Sequence, residues 1–394
     1  MKKAFLLCAS HNDLGLIFAL RKLGFYILVS GNRPGLPGER LVDKYIPGDY
    51  SDKEAMLEIA RREKIDAVCA CCNDFGVYTA AYIAEQLGLP GYDTWENVLA
   101  IHNKDRFKEV LAELDIPTPG AKMFDNREAA FDYAKNSSMP IMVKPVDCSA
   151  GNGISLCETV ENAQEAIEGA LAKSSAKRIV IERYIRGSQH GLCTFIINRK
   201  VVAVCSNNEY SLLNPFRVEI DTFPADSDSA TINRMVGYIE KIAQHLQLKD
   251  GIFHIQYIMD GTEPMIIEAM RRILGNMYHV PGNMLTSMDW EYWYVRAKCG
   301  MSLELFPKQT FQEGCFAYKT ILAPRNGRIA GIEVPDEYRR YLAQSYMLKK
   351  VGDEVSRYQS EPLGFLFFSF DTPERMRSML IENYRNDLVR MEAT

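Results

Sequence analysis

Short apolar runs alternate with amphipathic stretches over the first hundred residues, and no other feature constrains the fold as strongly. Ala4 to Ala9 and Phe25 to Ser30 have the character of strands, and Leu14 to Leu23 between them has helical spacing. Further segments continue the pattern: a weak strand at 44–46, a helix at 52–63, a strand at 67–71 and a helix at 77–87. Strands that alternate with helices in this way predict an α/β fold with a parallel sheet.

The connection after the first strand bears on the ligand that such a domain would hold. It runs from Ser10 to Gly15 and lacks the three-glycine spacing of a dinucleotide site. A Rossmann-like topology therefore does not imply NAD here. Pro90-Gly91 closes this unit, and Pro117 and Pro119 follow a helix predicted at 104–114, so we predict a domain boundary near residue 100.

Mixed α/β structure with hairpins is predicted beyond this boundary. Asp260-Gly261 marks a hairpin turn between strands at 254–259 and 265–268. The last ninety residues predict strands near 315–322 and 364–369 and a closing helix at 373–390.

Charge and composition narrow the function classes. The net charge of -5 gives no basic surface for a phosphate backbone, so a nucleic-acid partner is not expected. Without a signal peptide or a long apolar span, we expect a cytoplasmic protein and no membrane partner. Cys69 and Cys72 have C-x-x-C spacing, but no second pair or nearby histidine completes a zinc site, so we predict core-strand cysteines.

A cation followed by a small, glycine-containing loop is the first candidate site. Lys144 ends a predicted strand, and the loop that follows contains Ser149, Gly151 and Gly153. Backbone N–H groups of such a loop can surround phosphate oxygens, although the same residues also form ordinary turns.

Three further motifs stand in a fixed order around this loop. Asn103-Lys104-Asp105 precedes it, and residues 180–187 (Val-Ile-Glu-Arg-Tyr-Ile-Arg-Gly) and 266–272 (Ile-Ile-Glu-Ala-Met-Arg-Arg) follow it. Together the four motifs resemble the ATP-grasp superfamily, nearest to its carbamoyl phosphate synthetase and biotin carboxylase branch. The resemblance implies a pre-ATP-grasp domain over 1–100, an ATP-grasp domain over 101–305 with lobes of about 101–185 and 186–305, and a C-terminal region over 306–394 that completes the fold.

The resemblance also implies roles for the candidate ATP-binding residues. Lys104 and Lys144 would hold the α- and β-phosphates from opposite sides, and the glycine loop would close over the β- and γ-phosphates. The hinge at 182–185 would recognise adenine: the carboxylate of Glu182 takes the exocyclic amine, and Tyr184 and Ile185 lie against the base. Gln189 and His190 occupy the usual ribose-binding position, where His190 matches the biotin carboxylase pattern better.

The metal motif departs from the family pattern. Relatives read Glu-x-Asn-x-Arg, whereas this chain has Glu268, Met270 and Arg272, with Gln256 on the preceding strand. A thioether is a poor ligand for Mg²⁺ or Mn²⁺. One metal would therefore be held by Gln256, Glu268, phosphates and water, or a further oxygen would come from elsewhere, such as Asn276.

By this resemblance the reaction is an ADP-forming ligation, in which ATP activates a carboxylate as an acyl phosphate and an amine displaces phosphate. Arg272 would face the substrate carboxylate and the transferring phosphoryl group. Arg217 and Lys319 match further substrate cations only loosely. Two alternatives stay open: a bicarbonate-using carboxylase or carbamoyl phosphate synthetase relative, and, because of Met270, a non-catalytic ATP-binding regulatory protein. We expect small-molecule acid and amine substrates and a homodimer.

Overall fold

The parallel sheet predicted from the first hundred residues is present in a computed structural model, which describes residues 1–148 and 151–393. Its strand order is β3-β2-β1-β4, all parallel. The strands are β1 Lys3–Leu7, β2 Tyr26–Gly31, β3 Lys44–Pro47 and β4 Ala67–Ala70. The helices of this region are α1 Leu14–Lys22, α2 Lys53–Glu63, α3 Asp74–Leu87 and α4 Trp95–His102.

Helix α3 begins three residues before the predicted start. The side chain of Asn73 accepts a hydrogen bond from the Phe75 N–H at 2.9 Å and so caps the helix. This polar cap, rather than the apolar pattern from Val77 onward, sets where the helix begins. As a result, Asp74 lies in the first turn of α3, beyond the end of β4.

A four-stranded antiparallel sheet follows, in the order β5-β8-β6-β7. Its elements are β5 Ala121–Phe124, β6 Ile141–Pro145, β7 Ser155–Cys157 and β8 Ile179–Arg183, with α5 Lys104–Glu113, α6 Arg127–Lys135 and α7 Val160–Lys173 as the helices of this part of the chain. The apolar sides of α6 and α7 share one buried cluster with the sheet. This sheet places Lys144 at the end of β6 and Glu182 near the end of β8.

Long antiparallel strands and two further helices follow in the next part of the chain. The elements are β9 Ser188–Ile197, β10 Lys200–Tyr210, α8 Ser229–His245, β12 Gly251–Asp260, β13 Glu263–Met270 and α10 Trp290–Lys298. Strands β12 and β13 pair up to Asp260 and Glu263, which confirms the predicted hairpin turn. Residues of α5 and α8 pack with these strands into one core.

The chain packs as two compact units. The first comprises residues 1–204, 227–275 and 291–308, and the second comprises 205–226, 276–290 and 309–394. The domain boundaries near residues 100, 185 and 305 stay predictions, because these units group packed residues and not consecutive ones. Within residues 1–148 and 151–393, no helix combines the length and the apolar character needed to cross a membrane.

The second unit is built on antiparallel strands in the order β11-β14-β18-β16. Its elements are β11 Ile220–Phe223, α9 His279–Thr286, β14 Cys315–Ile321, β15 Gly327–Ile332, α11 Asp336–Arg339, β16 Leu342–Met347, β17 Glu354–Val355, β18 Gly364–Phe370, α12 Pro373–Arg377 and β19 Val389–Met391.

The predicted closing helix at 373–390 is wrong in its second half. Helix α12 and one π-helical turn end at Glu382, and the chain then runs to the short strand β19. Tyr384 donates a hydrogen bond to the buried Glu219, and Arg385 pairs with Asp387 and Glu337. These side-chain contacts use residues that the amphipathic pattern assigned to a helix.

Candidate active site

Lys104 joins the start of α5 to the segment that follows Lys144. Its backbone N–H donates to the Val146 carbonyl at 3.1 Å, and its ammonium donates to the Cys148 carbonyl at 2.7 Å. The same ammonium lies 3.7 Å from a carboxylate oxygen of Glu268. The residue is 8% exposed, so this cation is held inside the fold and directed toward the loop and the strand β13.

Lys144 and Glu182 form a buried ion pair across neighbouring strands. Lys144 Nζ lies 2.6 Å from Glu182 Oε2, and a second lysine, Lys108 of α5, lies 3.6 Å from Oε1. Burial alone would raise the pKa of Glu182, but the two lysines hold this pKa below its ordinary value. In the part of the chain that the structure describes, Oε1 receives no hydrogen bond although it is buried, so it can still accept one from a ligand.

Gln256 and Glu268 are directly opposite each other on the paired strands β12 and β13. Opposite residues of an antiparallel pair point to the same face, where their side chains are neighbours. Met270 is two residues beyond Glu268 and, by the alternation of a strand, lies on this face as well. We call this surface, with Gln256, Glu268 and Met270, the metal face.

The two ribose candidates lie on opposite sides of the sheet. Strand pairing places Gln256 opposite Gly191 and Tyr257 opposite His190, so His190 faces away from the metal face, and Gln189 shares it. His190 is 4% exposed, and its ring stacks on Tyr257 with a centroid distance of 5.2 Å. Tyr257 belongs to the apolar core, so the geometry favours Gln189 as the ribose residue.

The glycine loop and the hinge are described in part. Ser149 lies outside the described residues. Gly151 and Gly153 have φ values of +72° and +77°, and a Cβ on Gly153 would lie 2.8 Å from Pro145. In the hinge, Ile185 is buried and Tyr184 is half-buried. The loop conformation thus requires glycine and brings its backbone close to the end of β6.

Arg272 is held by a carboxylate from the Rossmann-like region. Its Nε lies 2.6 Å from Asp74 Oδ1, and its guanidinium also donates to the Ile273 carbonyl at 3.2 Å. The ring of His102 contacts the same Asp74 oxygen through Nδ1 at 3.1 Å, and its Nε2 accepts the Arg271 N–H at 3.2 Å. Burial alone would raise the pKa of Asp74, yet Arg272 and His102 hold it well below its ordinary value.

The contacts of His102 and Asp74 determine which chemical roles these two side chains can have. An acceptor role for Nε2 assigns the His102 proton to Nδ1, where it is donated to Asp74. Both nitrogens of His102 are therefore engaged, which leaves it no free lone pair to act as a general base. Asp74 stays ionised, and its role is to orient Arg272.

The adjacent Arg271 has a structural role. It is 1% exposed, its Nε lies 2.9 Å from Asp93 Oδ2, and it donates to the Ile252 carbonyl at 2.7 Å. The two neighbouring arginines therefore bind different carboxylates. Arg272 instead pairs with Asp74 and also interacts electrostatically with Glu268 of the metal face.

Lys319 and Asn276 contact other residues of the second unit. Lys319 is 1% exposed, lies 3.0 Å from Glu219 and sits over the Tyr384 ring within the second unit. Asn276 donates to the Tyr318 hydroxyl and the Val218 carbonyl, both at 3.2 Å. Arg217 is half-buried, and burial lowers its pKa. Lys319 therefore forms a buried structural ion pair with Glu219.

Sequence reasoning missed Lys108, Asp74 and His102. Lys108 follows Lys104 by four residues, which puts both on one side of α5, and this spacing was an available signal. Asp74 and His102 come from segments far from Arg272 in the chain, and no local pattern connects them. Cys69 is free and buried in β4, which confirms its prediction as a core-strand residue. Cys72 is also free, but it lies beyond β4, is only half-buried and donates to the Asn12 carbonyl at 3.1 Å, so the prediction is wrong for this residue.

Similarity to known proteins agrees with this arrangement. Residues 102–214 match the family model of the phosphoribosylglycinamide synthetase ATP-grasp (A) domain. The structure matches an L-amino acid ligase from Bacillus licheniformis with a TM-score of 0.84 at 19% identity, covering 100% of this chain and 99% of that one. It matches phosphoribosylglycinamide synthetase from Anaerococcus prevotii with a TM-score of 0.76 at 18% identity, covering 99% and 100%. The protein has the ATP-grasp fold, as its motifs predicted.

Sequence similarity then indicates the branch. The chain is 24% identical over 284 residues to the carbamoyl phosphate synthase large chain of Clostridium acetobutylicum, covering 67% of this chain and 25% of that one. It is 25% identical over 287 residues to the C-terminal section of the Methanocaldococcus jannaschii large chain, covering 66% and 44%. The chain thus spans less than half the length of these curated relatives. These similarities support the predicted carbamoyl phosphate synthetase and biotin carboxylase branch, of carboxylate–amine ligase type.

Proposed function

We propose that this protein is an ATP-dependent, ADP-forming ligase that activates a carboxylate as an acyl phosphate and joins it to an amine. The observation that carries the proposal is the position of Lys104. Its backbone and its ammonium both bind the segment that follows Lys144, and the ammonium also lies 3.7 Å from Glu268. Two lysines and the metal face are thereby gathered around one loop, as phosphate binding requires.

The donor set of the metal face fits magnesium held largely by a nucleotide. Gln256 and Glu268 offer an amide and a carboxylate oxygen from opposite strands. Mg²⁺ is commonly bound through one or two carboxylates, substrate phosphates and water, so Met270 does not exclude it. Within the described residues, no cluster of three or more His, Cys, Asp or Glu side chains forms a metal site. When bound, Mg²⁺ or Mn²⁺ would neutralise phosphate charge.

In the proposed reaction the protein contributes position and charge. Lys104 and Lys144 bind the phosphates, and Arg272, oriented by Asp74, faces the transferring phosphoryl group and the acid. Each such preorganised group is typically worth about 3 kcal/mol of barrier. The substrate carboxylate is the nucleophile on phosphorus, and the amine then attacks the acyl phosphate, so no protein nucleophile is needed.

The acid and amine are small molecules, and their identities are left to experiment. The similarity to an L-amino acid ligase supports amino acids as the first acids and amines to test. Bicarbonate is the second candidate acid, because the chain also resembles carbamoyl phosphate synthases and matches, with a TM-score of 0.79, the biotin carboxylase domain dimer of a Hydrogenobacter thermophilus carboxylase in complex with MgADP and bicarbonate. A homodimer stays a prediction.

Analysis of the nucleotide product tests the reaction class. The purified protein is incubated with Mg²⁺, ATP and pairs of amino acids, or with bicarbonate and an amine, and products are followed by mass spectrometry. We expect ADP, phosphate and a condensation product only when an acid and an amine are both present. Release of AMP and pyrophosphate would overturn the acyl-phosphate proposal.

A further inference from the structure

We propose that Lys108 is a specificity-determining residue that makes the candidate site select adenine over hypoxanthine nucleotides, by holding Glu182 as a carboxylate with one oxygen left to accept a hydrogen bond. The inference rests on the proposed nucleotide site and extends it to a residue outside the four family motifs. Lys108 touches no phosphate or metal candidate; it acts through Glu182.

The surroundings of Lys108 leave it little freedom. The residue is 7% exposed, and its ammonium donates to the Thr118 hydroxyl and, at 3.2 Å, to the Ile266 carbonyl. Thr118 in turn donates to the same carbonyl at 2.8 Å. Two of the three N–H groups are thus used by fixed partners, which anchor the ammonium between α5 and β13.

The anchored ammonium acts on Glu182 mainly through its charge. It lies 3.6 Å from Oε1, beyond hydrogen-bond distance, whereas Lys144 donates to Oε2 at 2.6 Å. Burial lowers the pKa of Lys108 to about 8, so the group is still mainly protonated at neutral pH. Glu182 therefore remains ionised while Oε1 keeps its lone pairs.

An ionised acceptor at this position discriminates between purines. The exocyclic amine at C6 of adenine donates a hydrogen bond to a carboxylate, whereas the C6 carbonyl of hypoxanthine would repel it. If Lys108 is replaced by an apolar residue, one of the neighbouring positive charges is lost, and the buried Glu182 binds a proton more readily. A protonated Glu182 can donate to the hypoxanthine carbonyl, and discrimination falls.

The test compares affinities for ADP and inosine diphosphate by isothermal titration. In the wild type we expect ADP to bind more tightly, and in Lys108→Met we expect the ratio of the two dissociation constants to shrink by about tenfold. Arg106→Gln is the matched control, because Arg106 is on the same helix in an exposed ion pair with Glu96. That variant should keep the wild-type ratio.

A second pair of variants tests the same role if Lys108→Met is too unstable to be measured. Glu182→Gln carries both an N–H donor and an oxygen acceptor and should bind the two nucleotides with similar affinity. Adding Lys108→Met to Glu182→Gln removes no partner of a buried charge, and the ratio should not change further. An unchanged ratio in Lys108→Met, or a further change in the double variant, would overturn the role of Lys108. Failure of the wild type to bind either nucleotide would instead overturn the proposed function.

Discussion

The carboxylate of Asp74 lies 2.6 Å from Nε of Arg272, and this ion pair connects the first turn of α3 to the residues just beyond β13. The same oxygen contacts His102 at 3.1 Å. A helix of the Rossmann-like region thereby orients the arginine proposed to face the transferring phosphoryl group. The first region of the chain contributes to the candidate site through charge as well as through packing.

Replacing Asp74 should impair turnover and spare nucleotide binding. In Asp74→Asn the arginine keeps a hydrogen-bonding neighbour but loses its charged partner, so we expect kcat to fall about ten- to a hundredfold. The ADP dissociation constant, measured by titration calorimetry, should stay unchanged. Asp132→Asn, which removes one side of an exposed ion pair with Lys135, is the control. If ADP affinity falls by the same factor as kcat in Asp74→Asn, Asp74 has a structural role only.

Replacing either phosphate-binding lysine should weaken ATP binding, whereas replacing Arg272 should abolish turnover. Lys104→Ala and Lys144→Ala should each weaken ATP binding by about tenfold or more, because each removes a charge from the triphosphate. Arg272→Ala should bind ATP normally and lose turnover. Calorimetric titration of all three variants checks this, and unchanged ATP affinity in both lysine variants would remove the phosphate assignment.

Restoring the family residue at position 270 should strengthen metal binding. An asparagine adds an amide oxygen to the metal face beside Glu268, and oxygen is the ligand that Mg²⁺ prefers. In Met270→Asn the Mn²⁺ affinity of the protein–ADP complex, measured by electron paramagnetic resonance, should rise by several-fold. No change would mean that residue 270 does not reach the ion.

Arg271 should contribute to the free energy of unfolding. Arg271→Met leaves the buried Asp93 without its main counter-charge, which typically costs about 3–5 kcal/mol in free energy of unfolding. Arg271 and Lys298 hold the pKa of Asp93 below its ordinary value although burial raises it, so the stabilisation is present above about pH 4 and is lost as pH falls through the folded-state pKa. The free energy of unfolding of Arg271→Met, measured in urea, should differ less from that of the wild type at pH 3.5 than at pH 7. An equal difference at both values would contradict this account.

Periodicity predicted the parallel sheet because its apolar residues follow the strand and helix periods closely, and the Asp260-Gly261 turn predicted the β12–β13 hairpin. It failed after Glu382, where Tyr384 and Arg385 are committed to partners far along the chain. The roles proposed for Lys104, Lys144 and Glu268 came from ordered motifs. The contacts of Asp74 with Arg272, and the side of the sheet taken by His190, depend on tertiary pairing and register, which a single sequence does not display.

Transfer of an oxygen atom from the acid to phosphate is the most direct test of whether ATP activates the carboxylate. If the acid is phosphorylated by ATP, one of its carboxylate oxygens must leave with the phosphate when the amine attacks. Reactions are run with ATP, Mg²⁺ and an amine, using ¹⁸O-labelled amino acids in one set and ¹⁸O-labelled bicarbonate in another. We expect ADP and phosphate carrying one labelled oxygen from an amino acid; label from bicarbonate alone would favour the second candidate. Unlabelled phosphate, label in AMP, or no ATP turnover in either set would overturn the proposal that ATP phosphorylates the acid.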